Sequence, residues 1–530
     1  MLQTLRSHRG MVTSSHHLAA EAGLRCLRDG GNAIEAMVAA AATISVVYPH
    51  MNGLGGDGFW LISEPGRRIP RAINGVGAAG GGVDVDLYHR QGLAQIPSRG
   101  PLAANTVAGT VSSWQAALEV SASWGGSMPL ARLLEDATYY AQAGFPVSDS
   151  QFHNTVAKHA ELMDVPGWAD TFLAGAEPPA IGTLFKQPAL ATTFRQLATA
   201  GLDDFYRGDL ARSIGADLAR AGSPVNTGDY EQQRAVTTDP LRVRLRCGDV
   251  YNTTPPTQGL ASLLILGIFD RLGCKEADGF EYVHGAVEAI KRAILLRNAH
   301  VTDPADMDID PQSLLDPGSL DALAAQIDPS RALPWPVDPA PGDTVWLGAV
   351  DGAGRAVSFI HSIYWEFGSG VVLHDTGVQC QNRGSSFSLD PKQQNSLRPG
   401  RLPFHTNNPA MALLDDGRVM VYGAMGGEGQ PQTQAAVFTR YAMLGAELQH
   451  AITAPRWVLS RTWGDARTDL RLENRFPPAL VDALREAGHE VNTVDAFDEV
   501  MGHAGAIVLH DSGLIEGATD PRSCGAVAAF

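Results

Sequence analysis

The sequence predicts an α+β fold on three observations. Helical periodicity dominates from His17 to Val301. A Pro- and Asp-rich stretch, Thr302 to Gly342, then breaks that pattern. From Thr344 onward the chain reads as short strands separated by turn signals.

Taken in order, His17 to Asp29 carries apolar residues at helical spacing and stops at Gly30-Gly31. Asn32 is placed to cap a second, Ala-rich helix over Ala33 to Ser45. The following loop, Tyr48 to Gly58, is too glycine-rich for regular structure, and Phe59-Trp60-Leu61-Ile62 reads as a strand. Helices with polar faces are predicted over Val107–Ser123, Leu130–Ala143, Ala189–Ala200 and Asp209–Ala221, and one more between Glu281 and Val301. Thr302 to Gly342 has the composition of an exposed, mobile linker. Strands are predicted at Thr344–Val350, Ala356–Ile363, Gly370–Val378, Met411–Leu414 and Val419–Tyr422, with turns at Asp351-Gly352 and Asp415-Asp416-Gly417. A helix follows from Gln432 to Leu444, and no internal repeat is visible.

Composition excludes several classes. A chain of 530 residues, 44% hydrophobic, can bury a large core, enough for about two to four ordinary domains or one enzyme body. No apolar run reaches the roughly 18 residues of a membrane-spanning helix. The N-terminal residues lack the apolar core of a secretory signal, so a cytoplasmic location is expected. Cys26, Cys247, Cys274, Cys380 and Cys524 are scattered without a CxxC pair and suit buried thiols better than a disulfide or zinc framework. His16-His17 and the other histidines lack ligand spacing, so solvated or capping roles are expected, with no metal and no organic cofactor. A formal charge of −17 argues against nucleic-acid partners. It leaves an anionic small molecule open, because a single placed Arg binds a carboxylate.

Two local features carry chemistry. Asp343-Thr344 sits where the Pro-rich stretch meets a strand. A Thr becomes an effective nucleophile when a base lies beside it, and a Thr made N-terminal by cleavage of its preceding bond supplies its own amine. Gly423-Ala424-Met425-Gly426-Gly427-Glu428-Gly429 lies between a predicted strand and a predicted helix. Such a loop can turn backbone N–H groups toward a developing oxyanion or a phosphate, and it serves equally as a plain tight turn.

Four segments, in order, resemble one family along nearly the whole chain: GGNAIEAMVAAAATISVVYPHMNGLGGDGFWLI, TVWLGAVDGAGRAVSFIHSIYWEFGSGVV, GAMGGEG and GATDPRS. They are similar to the opening helix and glycine loop, the small-subunit start, the oxyanion loop and the closing motif of the γ-glutamyltransferase family. The resemblance implies a four-layer αββα sandwich of the N-terminal-nucleophile hydrolase type. It also implies a precursor cut between Asp343 and Thr344 into a large subunit, residues 1–343, and a small subunit, residues 344–530, which stay together as a heterodimer or a dimer of heterodimers. Thr344 would be the nucleophile, its freed amine the base, Gly426 and Gly427 the oxyanion donors, and Ser362 a hydroxyl assisting Thr344.

The departures from the family fall on substrate recognition. The position of the Arg that holds the γ-glutamyl α-carboxylate falls near Val83, leaving Arg90 or Arg99 to reach in from elsewhere. The amine-binding Asn, Gln and Asp correspond to Tyr364, Arg383 and Ser386, and two carboxylate-binding serines to His405 and Thr406. An ammonium group wants acceptors and negative charge, whereas this set offers a guanidinium and hydroxyls. A carboxylate suits this set, and the run QNRGSSFSLDP resembles the family branch that hydrolyses oxamate, so the resemblance implies a small, oxamate-like carboxylate amide as substrate. The alternatives are glutathione hydrolysis or γ-glutamyl transfer through a rearranged pocket, an acylase for β-lactam side chains, or an uncleaved, non-catalytic binding relative.

Overall fold

Two seven-stranded antiparallel sheets form the centre of the fold, beside a three-stranded and a two-stranded sheet among the described residues. A computed structural model describes residues 2–335, 343–460 and 468–530, with only the backbone of Asp343. The first sheet runs in the order Ala526–Ala529, Gly10–Ser14, Asp343–Asp351, Ala356–Tyr364, Asp57–Ser63, Arg71–Gly75 and Val236–Thr238. The second runs Leu5–Ser7, Ile515–Thr519, Ala504–Leu509, Val419–Ala424, Ala410–Leu414, Gly248–Asn252 and Leu241–Leu245.

Period-two alternation assigns each strand face to a layer. Along Asp343–Asp351, Val345, Leu347 and Ala349 pack into a helix-side core with Ile44 and Trp114, while Trp346 and Val350 enter the gap between the sheets. Met411, Val421 and Ile507 meet them there from the second sheet. The outer face of the second sheet, including Ala412, Met420 and Ala506, packs against the helices Gly259–Leu272, Phe280–His300 and Gln430–Phe438. Helix, sheet, sheet, helix is the αββα sandwich of the N-terminal-nucleophile hydrolases. Among the described residues no helix is long and apolar enough to cross a membrane.

Asn32 caps the helix Ala33–Val47 as its position predicts, accepting from the N–H groups of Ile34 and Glu35 while Glu35 accepts from the Asn32 N–H. His16 likewise caps His17–Arg28 through its ring. Two expectations differ. Within Thr302–Gly342, residues Pro304–Asp306 and Pro311–Leu315 are 3₁₀ turns and Pro317–Ala324 is an α-helix. Each begins Asp-Pro, and the Asp303 and Asp310 side chains accept from the N–H two residues on; the Asp and Pro content marks helix starts. The rest of that segment, 336–342, lies outside the described residues. Gly370–Val378 is no strand, because Gly370 and Gly377 both take positive φ and the chain turns back on itself through Leu373 N–H to Val378 O, 2.9 Å.

Candidate active site

The alternation that buries Trp346 between the sheets also sends Thr344, two residues earlier, toward that gap. Its strand pairs with Ala356–Tyr364 in regular register up to Val345 opposite His361, but Asp343 lies opposite Tyr364. The Asp343–Thr344 peptide bond therefore sits in a bulge, a device that re-aims side chains. The partner strand shows a second irregularity there, Tyr364 at φ 83°, a conformation that costs a residue with a Cβ.

The first sheet contributes Thr344 and Ser362, and they are met by the segment leading into the second sheet's strand Ala410–Leu414 and by the helix Gln430–Phe438. The Thr344 hydroxyl donates to Asn407 Oδ1 at 3.1 Å and accepts from Gln430 Nε2 at 2.8 Å. Ser362 Oγ donates to the same Asn407 oxygen at 3.1 Å. Gln430 opens the helix Gln430–Phe438 immediately after the Gly427–Gly429 turn. Gly426 and Gly427 both have positive φ, 121° and 49°, so the loop turns sharply into the positive end of that helix. The loop is tied down by Gln258, whose Nε2 donates to the carbonyls of Thr406 (2.6 Å) and Gly427 (2.8 Å). Arg297 in turn bonds both Gln258 Oε1 and Glu428, each at 2.9 Å. Asn408 closes the network by donating to Gln430 Oε1 at 2.9 Å.

Arg383 belongs to this constellation. It is fully buried, donating through Nη2 to Ser362 Oγ at 3.2 Å and through Nη1 to Thr406 Oγ1 at 3.3 Å. Its guanidinium lies 3.7 Å above the centre of the Tyr364 ring. Burial pushes it down to about 10, against the opposing pull of Tyr364 and Asp57. Among the described residues no carboxylate comes within ion-pair distance of it. A buried cation whose partners are hydroxyls and a π face has the chemistry to receive an anion.

The other expected substrate contacts lie elsewhere. His405 Nε2 pairs with Asp57 Oδ2 at 3.0 Å and its Nδ1 accepts from the Asn407 N–H at 3.3 Å, so both ring nitrogens are committed inside the protein. Ser386 Oγ faces the Phe404 carbonyl at 3.5 Å, off the line of groups joining Arg383 to Thr344. Val83 packs with Tyr88, Phe387 and Leu389 in a small apolar cluster. Arg99 is spent on Glu161 and on the carbonyls of Glu366 and Gly368, and Arg90 is exposed.

The residues the sequence reading missed are Asn407, Gln430 and Asp57. None belongs to a spacing motif; Asp57 lay in view within the glycine loop, and Asn407-Asn408 beside two flagged positions. Among the described residues, His284, Glu288 and His489 form the one His/Glu group with ligand-like spacing. There Lys291, Arg292 and the Leu333 N–H already occupy the Glu288 oxygens, so a divalent cation would have to compete with two fixed cations. A groove of about 770 Å³ lined by Val76, Val236, Pro255, Pro256 and Met307 opens beside the Thr254–Gln258 turn and includes none of the network residues.

The γ-glutamyltranspeptidase family model matches residues 19–530. The oxamate amidohydrolase proenzyme of Klebsiella pneumoniae is 56% identical over 525 residues, covering 99% of both chains. The glutathione hydrolase-like YwrD proenzyme of Bacillus subtilis is 42% identical over 518 residues, covering 97% of each. Among solved structures, a cephalosporin acylase from Bacillus halodurans superposes with a TM-score of 0.91 at 32% identity, covering 100% of this chain and 97% of that one.

Proposed function

The chain belongs to the γ-glutamyltranspeptidase family, and from that premise we propose that it is a self-processing Thr-nucleophile amidohydrolase for a small anionic amide of the oxamate kind. The precursor is cut between Asp343 and Thr344, giving a large subunit of residues 1–343 and a small one of 344–530 that remain assembled. In that first step the Thr344 hydroxyl attacks the Asp343 carbonyl and the resulting ester is hydrolysed. The Thr344 amine so freed then serves as base in turnover. Thr344 Oγ1 attacks the amide carbon of the substrate, and the amides of Gly426 and Gly427 receive the oxyanion. The C–N bond breaks, ammonia leaves with the transferred proton, and water hydrolyses the acyl-Thr344 ester to release the dicarboxylate.

One observation carries the substrate class: a buried guanidinium, Arg383, with no carboxylate in ion-pair distance among the described residues, stands two hydrogen-bonded groups from the nucleophile, through Ser362 and Asn407. An oxamate-like substrate places its carboxylate one bond from the scissile carbonyl, a spacing that suits Arg383 and Thr406 on one side and Thr344 on the other. A γ-glutamyl ammonium would meet the like charge of Arg383. The name of the Klebsiella relative agrees with this reading.

The test is a gel and a pair of substrates. Wild-type protein should run as two unequal fragments and Thr344→Ala as a single 56.2 kDa band. The wild type should release ammonia from oxamate far faster than p-nitroaniline from γ-glutamyl-p-nitroanilide. The reverse preference would replace this reading with glutathione hydrolysis or γ-glutamyl transfer.

A further inference from the structure

Thr344 and Ser362 hang from one sheet, while Thr406 and Asn407, which align them and Arg383, lead into a strand of the other. Alignment at the 3.1 Å Thr344–Asn407 bond therefore depends on how the two sheets are fixed to each other near this point. Besides the Asn407 bonds to Thr344 and Ser362 and the packing of Phe59 on the His405 ring, the pair Asp57 with His405 crosses between them within two residues of Asn407.

Asp57 opens the strand Asp57–Ser63 of the first sheet and is fully buried. Its Oδ1 accepts from the N–H groups of Gly77 (3.0 Å) and Gly109 (2.9 Å) and from Gln381 Nε2 (3.2 Å). The seat is built around small residues: a Cβ on Gly77 would lie 1.6 Å from the Val107 carbonyl oxygen, and one on Gly109 2.8 Å from Asp57 Oδ1 itself. Oδ2 is left for His405 Nε2. The His405 backbone is stapled on its other side, donating to Pro256 O and accepting from Gln258 N–H, both at 2.8 Å. Because the Asn407 N–H donates to His405 Nδ1, the ring proton resides on Nε2 and points at Asp57. The imidazole thus relays a fixed carboxylate in one sheet to the Asn407 backbone of the other.

We propose that Asp57 and His405 are positioning residues that hold the Thr406-Asn407 shelf in place, setting together the aim of Thr344 and the placement of Arg383 without touching substrate. This rests on Thr344 being the nucleophile. It gives His405 a role other than substrate contact and gives Asp57 a role of its own.

The charges facing Asp57 are Arg383 and the neutral ring of His405, with the phenols of Tyr206 and Tyr230 further off. Burial pushes both phenols up, so they stay protonated. Burial together with Arg383 pushes His405 well below the ordinary imidazole range. Burial pushes Asp57 up to about 7 against the pull of Arg383 and its N–H donors. Gly77, Gly109, Gln381 and His405 thus aim four donors at a carboxylate that is ionised above about pH 7. A proton on Asp57 would set a donor against donors and loosen the shelf.

The experiment follows self-cleavage in a cell-free pulse–chase, where the uncut precursor has no free Thr344 amine to confuse the pH profile. Wild-type cleavage should fall as pH drops through about 7. Asp57→Asn should cleave about a hundredfold more slowly, as expected of a misplaced nucleophile, and lose that pH dependence. His405→Gln can still donate to Asp57 and accept from Asn407, and should retain a rate within about tenfold of wild type, whereas His405→Ala should match Asp57→Asn. The Gln-versus-Ala contrast serves if Asp57→Asn does not fold. Equal rates for His405→Gln and His405→Ala, or a wild-type rate and pH profile in Asp57→Asn, would overturn the pair's role. If Thr344→Ala is itself cut at the same bond, the nucleophile reading has failed instead.

Discussion

Replacing Arg383 by Met should separate binding from stability. The buried guanidinium is held down at about 10, so keeping it charged costs roughly 3 kcal/mol. That cost is already net of the pull of Tyr364 on the guanidinium. Against it, the two hydroxyl hydrogen bonds of Arg383 contribute about 1 kcal/mol each. These terms cancel to within about 1 kcal/mol, and Met keeps most of the stem volume. Thermal unfolding of the variant should therefore stay close to wild type. Binding of an anionic amide loses its partner, which for a buried charge pair costs roughly 2–5 kcal/mol, or about 30- to 4,000-fold. The assay is steady-state ammonia release from oxamate and from its uncharged diamide, with unfolding measured alongside. KM for oxamate should rise over that range while the diamide changes little. A rise of less than about threefold, or an equal loss for the diamide, would refute Arg383 as the carboxylate receptor.

Two further predictions concern buried charge away from the substrate. Lys291 bonds Glu288 at 2.9 Å and the Leu333 carbonyl at 2.6 Å, and Lys291→Met leaves both short of a partner. A loss of about 2–4 kcal/mol is expected in urea unfolding of an uncleaved Thr344→Ala precursor. No loss would mean that Arg292 alone satisfies Glu288. Burial pushes the Asp520 carboxyl up, but Arg456 and Arg522 outweigh it and hold the group at about 2. The folded-state value lies below the unfolded one, so the stabilisation, about 2 kcal/mol, is complete above about pH 4 and is lost as pH falls toward 2. Asp520→Asn should abolish that part of the acid dependence, and an unchanged slope in acid unfolding would count against it.

The fold was legible where one segment carried its own signal. Asn32 followed by Glu35 specified a capped helix without help from the rest of the chain, and the strands on either side of Asp351-Gly352 showed their turn and alternation. Gly259–Leu272 was missed because a helix buried all round shows no amphipathic period. The Asp-Pro pairs of 303–317 were read as linker because composition does not separate helix starts from loops. The same division runs through the site. Thr344, Ser362 and Gly426-Gly427 stood out through ordered resemblance, and Arg383 through a departure from it. Asn407 and Gln430 reach Thr344 from 63 and 86 residues away, with no local pattern to announce them. His405 shows the consequence most plainly. Read alone beside Thr406, a histidine suggests a substrate contact. Its partner lies 348 residues earlier, in the strand Asp57–Ser63, and it is that pairing on which the proposed bracing role rests. A residue's type and neighbours thus limit what it can do, but the role proposed for His405 depends on a partner that only the fold brings to it.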